Sequence, residues 1–197
     1  MPAMSTVANP LALTPEIDGF RREFERLSAE ADGLVAPLSD AQFHWQPRPD
    51  AWSVAQCIEH LNVTARMYFP KLDEGIADAI RRGAYGPGPF AYNWMGRLMV
   101  WVVQPTTRVK AKAPKPFQPA HGRPRQEVMA AFRAYQVQYV DRLRQANGLD
   151  LARARASSPV AGWMRIPLGS GFTMMIAHSH RHLAQARRVL AAPGFPR

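Results

Sequence analysis

The residues best suited to chemistry are three histidines near the C-terminus, in the run His178-Ser179-His180-Arg181-His182. His178 and His182 are four residues apart, which places both imidazoles on one face of a helix, one turn apart. That spacing can bring two nitrogen ligands to one metal ion. His180 is rotated by about 200° from His178 and should point away from such a site. Histidine pairs of this kind are also common on helix surfaces, so the spacing alone does not decide between a metal site and a solvated face.

A third candidate ligand is His60, which lies in the apolar stripe of a second predicted helix. If it faces the interior of a helical bundle, it meets the edge formed by His178 and His182. Three imidazoles leave positions on a divalent cation open for water or substrate, as catalytic metal sites require. The alternative is a core histidine that is hydrogen-bonded to a backbone carbonyl or a carboxylate. Spacing alone leaves both interpretations open.

Three other residues have simpler interpretations. His44 and His121 lie in predicted connections, and we expect both at the surface. Cys57, the only cysteine, lies one helical turn before His60 and could serve as a thiol ligand or a redox group. A lone cysteine in a helix is more often a small core residue, and we favour that interpretation.

Two helices are predicted in the N-terminal half of the chain. The first begins at Thr14-Pro15-Glu16, which combines an N-cap residue, a proline suited to the first helical position and an acid near the positive helix end. Pro37 ends it. The second helix begins with a capping box at Ser53 and stops at Gly83. Pro70 falls inside its apolar stripe and should kink or split the helix.

Residues 84–124 predict a long, proline-rich and basic connection. Within it, Tyr92–Val103 is very apolar and predicts one short helix. From residue 104 to residue 124 the chain has frequent prolines and no acidic residue, which favours an extended conformation over a strand. A connection of about 40 residues can run the full length of a helical bundle, so the second and third helices can lie parallel.

Two more helices follow this connection. The third is predicted from Arg125 to Ala146, and the fourth from Ser170 or Thr173 to a point before Pro193. Residues 149–168 are predicted as a loop that contains Pro159, Gly162 and Pro167. The chain shows little sign of a β-sheet, because no Asn-Gly or Asp-Gly turn joins alternating strands. Four amphipathic helices with one long crossover predict an all-α protein, a four-helix bundle in which residues 1–197 form a single domain.

Composition and charge limit the class of protein. The 197 residues are 47% hydrophobic and 20% charged, as expected of a globular protein. The first residues lack the features of a signal peptide, and no apolar run approaches the ~20 residues needed to cross a bilayer. We therefore expect a cytoplasmic protein. Residues 1–104 hold 9 Lys/Arg and 12 Asp/Glu, whereas residues 105–197 hold 16 and 3. This basic half could attract nucleic acid, anionic lipid or an anionic substrate, or it could be a solvated surface.

Two sequence motifs resemble those of the DinB-like (DinB/YfiT) superfamily of metal-dependent enzymes. Residues 45–61 fit the family pattern W-x-P-x-P-x-x-W-S-I/V-x-x-x-x-x-H-L. Residues 178–185 fit the family pattern H-x-x-R-H-x-x-Q. The connection at 109–119 also resembles the basic, proline-containing connection of one branch. The resemblance therefore extends from the first predicted helix to the fourth.

The resemblance implies a fold, a ligand set and a class of reaction. The fold is a four-helix bundle in up-down-down-up order. The ligands carried over by motif position are His60, His178 and His182, with a divalent metal, Zn or Ni being the leading candidates. Family members of known activity are mainly transferases and isomerases that use low-molecular-weight thiols. We therefore expect a metal-dependent enzyme, a thiol-dependent S-transferase or else a hydrolase, that acts on a small-molecule substrate.

Two other classes of function stay open at this point. The bundle could bind a small molecule or a protein without catalysis, with the metal serving structure. It could also bind nucleic acid through the basic half, but the sequence shows no helix-turn-helix signature and no aromatic–basic RNA motif. The apolar Tyr92–Val103 segment could cover the bundle, touch a membrane or form a homodimer face, and we expect the dimer face.

Overall fold

The computed structural model describes residues 12–92, 94–104 and 113–197. The first eleven residues, which lack the features of a signal peptide, and residues 105–112 of the basic connection lie outside the described residues. Within the described residues, two strands accompany the helices, β1 (Arg155–Ser157) and β2 (Arg165–Pro167). The helices are α1 (Pro15–Val35), α2 (Asp40–His44), α3 (Val54–Arg81), α4 (Trp94–Val103), α5 (Arg125–Gln145) and α6 (Leu168–Leu190). The prediction of a mainly helical four-helix bundle is confirmed, with α1, α3, α5 and α6 as its long helices.

Helices α3 and α5 run parallel, as the long connection predicts. The side-chain amide of Asn62 donates to the Val128 carbonyl oxygen at 3.0 Å, near the start of both helices. Further along both helices, the Arg142 guanidinium lies 2.8 Å from the Asp73 carboxylate. A turn cannot join two parallel neighbours, so the chain must return from the end of α3 to the start of α5.

Helix α6 runs parallel to α1 and antiparallel to α3, which completes the up-down-down-up order. The rings of Phe20 and Phe172 lie 6.0 Å apart near the start of α1 and α6. An ion pair between Glu30 and Arg187, at 3.0 Å, joins the same two helices further along. Side chains of all four helices meet in one hydrophobic core.

Local sequence signals explain where the long helices begin. The predicted capping box at Ser53 is present, because its hydroxyl accepts from the Gln56 backbone N–H while the Gln56 side chain accepts from the Ser53 backbone N–H. Gly83 ends the α3 segment with a positive φ of 62°. The structure does not split α3 at Pro70. Pro70 lies on the exposed face, where water can replace the lost backbone hydrogen bond.

The segment predicted as a loop at 149–168 instead contains an antiparallel hairpin. Ala156 pairs with Ile166 at the centre of its three-residue strands, and both residues are buried. Helix α6 follows β2 directly and begins at Leu168, before the predicted start. Strands of three residues are too short to show an alternating pattern, which is why the sequence predicts only a loop.

Helix α4 confirms the short apolar helix predicted inside the long connection. It packs along α6 with Val100 and Val103 against the core. The Arg181 guanidinium donates to the carbonyl oxygens of Val102, at 3.4 Å, and Gln104, at 3.1 Å, which fixes the end of α4 to α6. Across the described residues, no helix is both long and apolar enough to span a membrane.

Gly75 should be sensitive to substitution, because a Cβ there would lie 2.7 Å from the Arg155 carbonyl oxygen of β1. We expect Gly75→Ala to lower the free energy of unfolding by about 1–3 kcal/mol, since backbone must move to relieve the overlap. Gly33→Ala is the matched control, because its Cβ meets nothing within 4 Å in α1. It should raise stability by about 0.5–1 kcal/mol. Urea unfolding of the two variants measures both effects, and equal stabilities would contradict the packing of β1 on α3.

Candidate metal centre

The antiparallel contact between α3 and α6 brings His60, His178 and His182 together. One ligand nitrogen from each residue lies within 4.8 Å of the others, a group that could hold a metal ion. The Nε2 atoms of His60 and His178 are 3.1 Å apart. The three ring centroids are 4.5–5.1 Å apart. The structure thus gathers the histidines selected from the sequence, and their role as metal ligands stays a prediction.

Hydrogen bonds orient two of the three imidazoles. His60 Nδ1 donates to the Phe117 carbonyl oxygen at 2.7 Å, and because a carbonyl oxygen can only accept, Nδ1 carries the proton. His182 Nδ1 lies 3.1 Å from Gln185 Oε1, which favours the same tautomer. In both residues Nε2 is left with its lone pair. Metal-binding histidines commonly show this arrangement, in which the nitrogen opposite the metal donates to an oxygen.

The connection between α4 and α5 is fixed to the first turns of α3. Phe117 ends a short 3₁₀ turn, Lys115–Phe117, and its side chain is buried. After it, the Arg123 guanidinium donates to the Glu59 carboxylate at 2.9 Å, and Glu59 is only 1% exposed. The connection therefore supplies the oxygen that orients His60. The ion pair between Arg123 and Glu59, the residue next to His60, holds the connection against α3.

Trp52 forms one wall of the histidine cluster. Its ring centroid lies 4.9 Å from that of His60 and 5.7 Å from that of His182. Its plane is inclined by 30° to the His182 ring. A rigid aromatic wall restricts the movement of both imidazoles and excludes water from one side of the cluster.

Burial keeps all three imidazoles in the neutral form. It lowers the pKa of His60, although the hydrogen bond to Phe117 opposes this effect. Burial lowers the pKa of His178 to about 3, and the nearness of Arg181 and of a second protonatable ring, His60, lowers it in the same direction. Burial and the two neighbouring histidines hold the pKa of His182 well below its ordinary value. Neutral imidazole is the form that binds metal.

The other histidines lie outside the cluster. His180 points away from it, as predicted, with its Nε2 3.1 Å from the Glu23 carboxylate. His121 is exposed and lies 3.2 Å from the Gln56 amide. The prediction of a surface position is wrong for His44, which is half-buried. His44 ends the short helix α2, which the sequence does not predict, and its ring lies 5.2 Å from that of the buried Phe43.

Sequence reasoning gave no role to the groups that orient the cluster. Gln185 lies in the C-terminal motif, and its position three residues after His182 is a usable signal, since i and i+3 side chains meet on a helix. Phe117 acts through its backbone carbonyl, which leaves no trace in the sequence. Glu59 and Arg123 are 64 positions apart in the sequence, so only the fold shows that they pair.

We expect Gln185→Ala to weaken metal binding about 10–100-fold, because the Nδ1–H of His182 loses its acceptor. Gln185→Glu keeps an acceptor oxygen and should restore binding. Zinc titration against a competing chelator measures both affinities. Gln126→Ala, an exposed change on α5, is the control. Equal affinity in the Ala and Glu variants would contradict the orienting role of Gln185.

Cys57 is a core residue, as favoured from the sequence. It is fully buried, and burial raises the pKa of its thiol to about 12. At neutral pH it is protonated and is neither a metal ligand nor a nucleophile.

A thiol reagent should therefore leave the folded protein unlabelled at mildly alkaline pH and label one thiol after unfolding in guanidinium. The absorbance of the released chromophore gives the rate. Rapid labelling of the folded protein would show that Cys57 is accessible.

Comparisons with known proteins agree with this architecture. The structure is similar to that of YfiT from Bacillus subtilis, with a TM-score of 0.59 and 16% sequence identity. The match covers 100% of this chain and 94% of YfiT. YfiT is described as a probable metal-dependent hydrolase with an unusual four-helix bundle topology. No curated protein matches the sequence.

The fold and the histidine cluster define a four-helix bundle of the YfiT type with a candidate metal centre. The DinB superfamily matches residues 23–186, which include all three histidines and most of the chain. The chain belongs to the DinB superfamily.

Proposed function

We propose that this protein is a metal-dependent enzyme that acts on a small-molecule substrate, with His60, His178 and His182 as the ligands of a divalent cation. The observation that supports this most strongly is the convergence of three imidazoles, two of which donate Nδ1–H to an oxygen. A purely structural histidine needs one such partner, but it does not need a second and a third imidazole facing it.

The donor set fits a first-row divalent cation. Three neutral imidazoles add no charge, so a cation held by them keeps its full positive charge. Nitrogen donors suit Zn, Ni, Fe and Cu, and we propose Zn or Ni. A cation bound there would act as a Lewis acid and lower the pKa of a thiol or a water molecule at its open positions.

The protein's own residues position this chemistry. The Phe117 carbonyl and the Gln185 amide hold the Nδ1 protons of His60 and His182, so that the two Nε2 lone pairs face the same space. Trp52 closes one side of that space. A substrate must therefore approach from a side that the tryptophan leaves open.

The reaction that we propose is S-transfer with a low-molecular-weight thiol as co-substrate. The motifs resemble those of a family whose known activities are mainly of this kind. Cys57 is buried and protonated, so the thiol must come from solution. Low-molecular-weight thiols carry carboxylates, which arginines of the basic half can bind. A thiol co-substrate fits the reducing cytoplasm, where we place the protein.

Hydrolysis is the second candidate. The similarity to YfiT, described as a probable metal-dependent hydrolase, favours it. The two reactions differ in the nucleophile and share the metal site. A homodimer stays a prediction, and nucleic-acid binding is the weaker alternative.

Removing a ligand should remove the metal. Protein purified without a histidine tag should hold close to one equivalent of a divalent metal by elemental mass spectrometry. His178→Ala and His182→Ala should lose it. His180→Ala, on the same helix but directed towards Glu23, is the matched control and should keep it. Metal at the wild-type level in His182→Ala would overturn the proposed site.

Thiol dependence separates the candidate reactions. The metal-loaded protein is incubated with electrophiles, with and without glutathione, bacillithiol or mycothiol. Turnover only with a thiol supports S-transfer, and turnover without thiol supports hydrolysis. In both cases activity should disappear in His178→Ala. No turnover by a fully metal-loaded protein would favour the non-catalytic alternative.

A further inference from the structure

Helix α4 presents an apolar face to solvent. Its opposite face, with Val100 and Val103, packs against the core. The solvent face carries Trp94, Leu98 and Trp101 at helical spacing. These side chains are 70%, 40% and 54% exposed, in that order. A face of this kind, on a helix already packed on its other side, is typical of an interaction surface.

The β1–β2 hairpin adds a second exposed apolar group beside α4. Val160 is 59% exposed and Trp163 is 83% exposed in the loop between the strands. Helix α4 contacts β2, and Trp163 lies two residues before that strand. Gly169 lies just after β2, and a Cβ there would collide with the Tyr92 ring. Because Tyr92 lies just before α4, the start of α4 lies against the residues that follow β2. The start of α4 and the β1–β2 hairpin therefore lie at the same end of the bundle, where α6 begins, and α4 runs along α6 from there.

The charged residues on the two segments that carry these groups are all basic. Residues 79–126, which contain α4, and residues 151–197, which contain the hairpin, include no acidic residue. Arg97 on α4 is exposed, as are Arg153 and Arg165 beside the hairpin. The nearby carboxylate of Asp78 lies 3.8 Å from Arg165. The same carboxylate is also paired with Arg81, the last residue of α3, and with Arg82, which follows it. Glu16 of α1, which accepts a hydrogen bond from the Tyr92 hydroxyl, is a second carboxylate beside α4. The surface therefore combines exposed tryptophans with exposed arginines that lie among a few carboxylates.

We propose that α4 and the β1–β2 loop bind the surface of a bilayer that contains anionic phospholipid. Tryptophan favours the boundary between headgroups and acyl chains, where its ring is apolar and its N–H stays hydrated. Leu98 and Val160 can enter the acyl region, while arginines bind lipid phosphates. Contact of this type places the bundle on the membrane without spanning it.

Other partners fit this surface less well. A symmetric contact with a second copy, the homodimer face expected from the sequence at Tyr92–Val103, would bring two patches that each carry exposed arginines together. Nucleic acid supplies phosphates, but it offers no apolar medium for Leu98 and Val160. A bilayer with anionic lipid matches both the charge and the apolar groups.

Vesicle flotation tests the proposal. The full chain is mixed with vesicles of phosphatidylcholine alone, or of phosphatidylcholine with an equal amount of phosphatidylglycerol. We expect binding to the anionic vesicles, with a blue shift of tryptophan emission. Trp94→Ala and Trp163→Ala should each weaken binding about tenfold, because each removes a large apolar side chain from the contact.

Val160→Ser and Val137→Ser form a matched pair. The two valines are 59% and 60% exposed, but Val137 lies on α5, which packs on α1 and α3. Val160→Ser should weaken binding, and Val137→Ser should not. Equal binding by Val160→Ser, Trp94→Ala and the wild type would overturn the proposal, because net charge alone would then explain the attraction.

Three other results would also overturn it. One is no binding to either vesicle. The second is a dimer in sedimentation analysis that Trp94→Ala dissociates, without vesicle binding, which assigns the surface to a second copy. The third is salt-sensitive binding of duplex DNA that Trp94→Ala weakens, without vesicle binding, which assigns the surface to nucleic acid.

Discussion

The parallel alignment of α3 and α5 is the constraint on which the rest of the structure depends. Because two parallel neighbours cannot be joined by a turn, the chain from residue 82 to residue 124 must return along the bundle before α5 can begin. The described part of that return includes α4, which packs on α6, and the Lys115–Phe117 turn, which packs on α3. The Phe117 carbonyl oxygen then accepts the Nδ1 proton of His60. A topological requirement of the fold thus provides a hydrogen-bond acceptor at the candidate metal centre.

Three imidazoles packed together inside a bundle carry an energetic cost, because buried polar groups need partners and like charges repel. The structure reduces this cost by keeping the rings neutral and by satisfying Nδ1 of His60 and His182 with oxygen acceptors. A cation between the rings would satisfy the remaining nitrogens. The same neutrality that makes burial tolerable prepares the cluster for metal, so stability and the proposed function place the same demand on the site.

Much of this architecture could be predicted from the sequence. Helical periodicity, the Ser53 capping box and the length of the connection predicted the bundle and its parallel pair, and two motifs selected the three histidines. The sequence could not predict the hairpin, whose strands are three residues long, or the unbroken course of α3 past Pro70, which depends on the exposure of that residue. It could not predict the role of Phe117 either, because any residue type can provide a backbone carbonyl.

The most direct test of the proposed metal centre is anomalous diffraction from crystals of the full chain soaked in zinc or nickel salt. Our account predicts one strong peak about 2.0–2.1 Å from a ring nitrogen of each of His60, His178 and His182. It also predicts that the bonds from Nδ1 to Phe117 and Gln185 persist. Absence of a peak there, or a peak only at other side chains such as His121 and Glu59, would contradict the assignment of the cluster as a metal site.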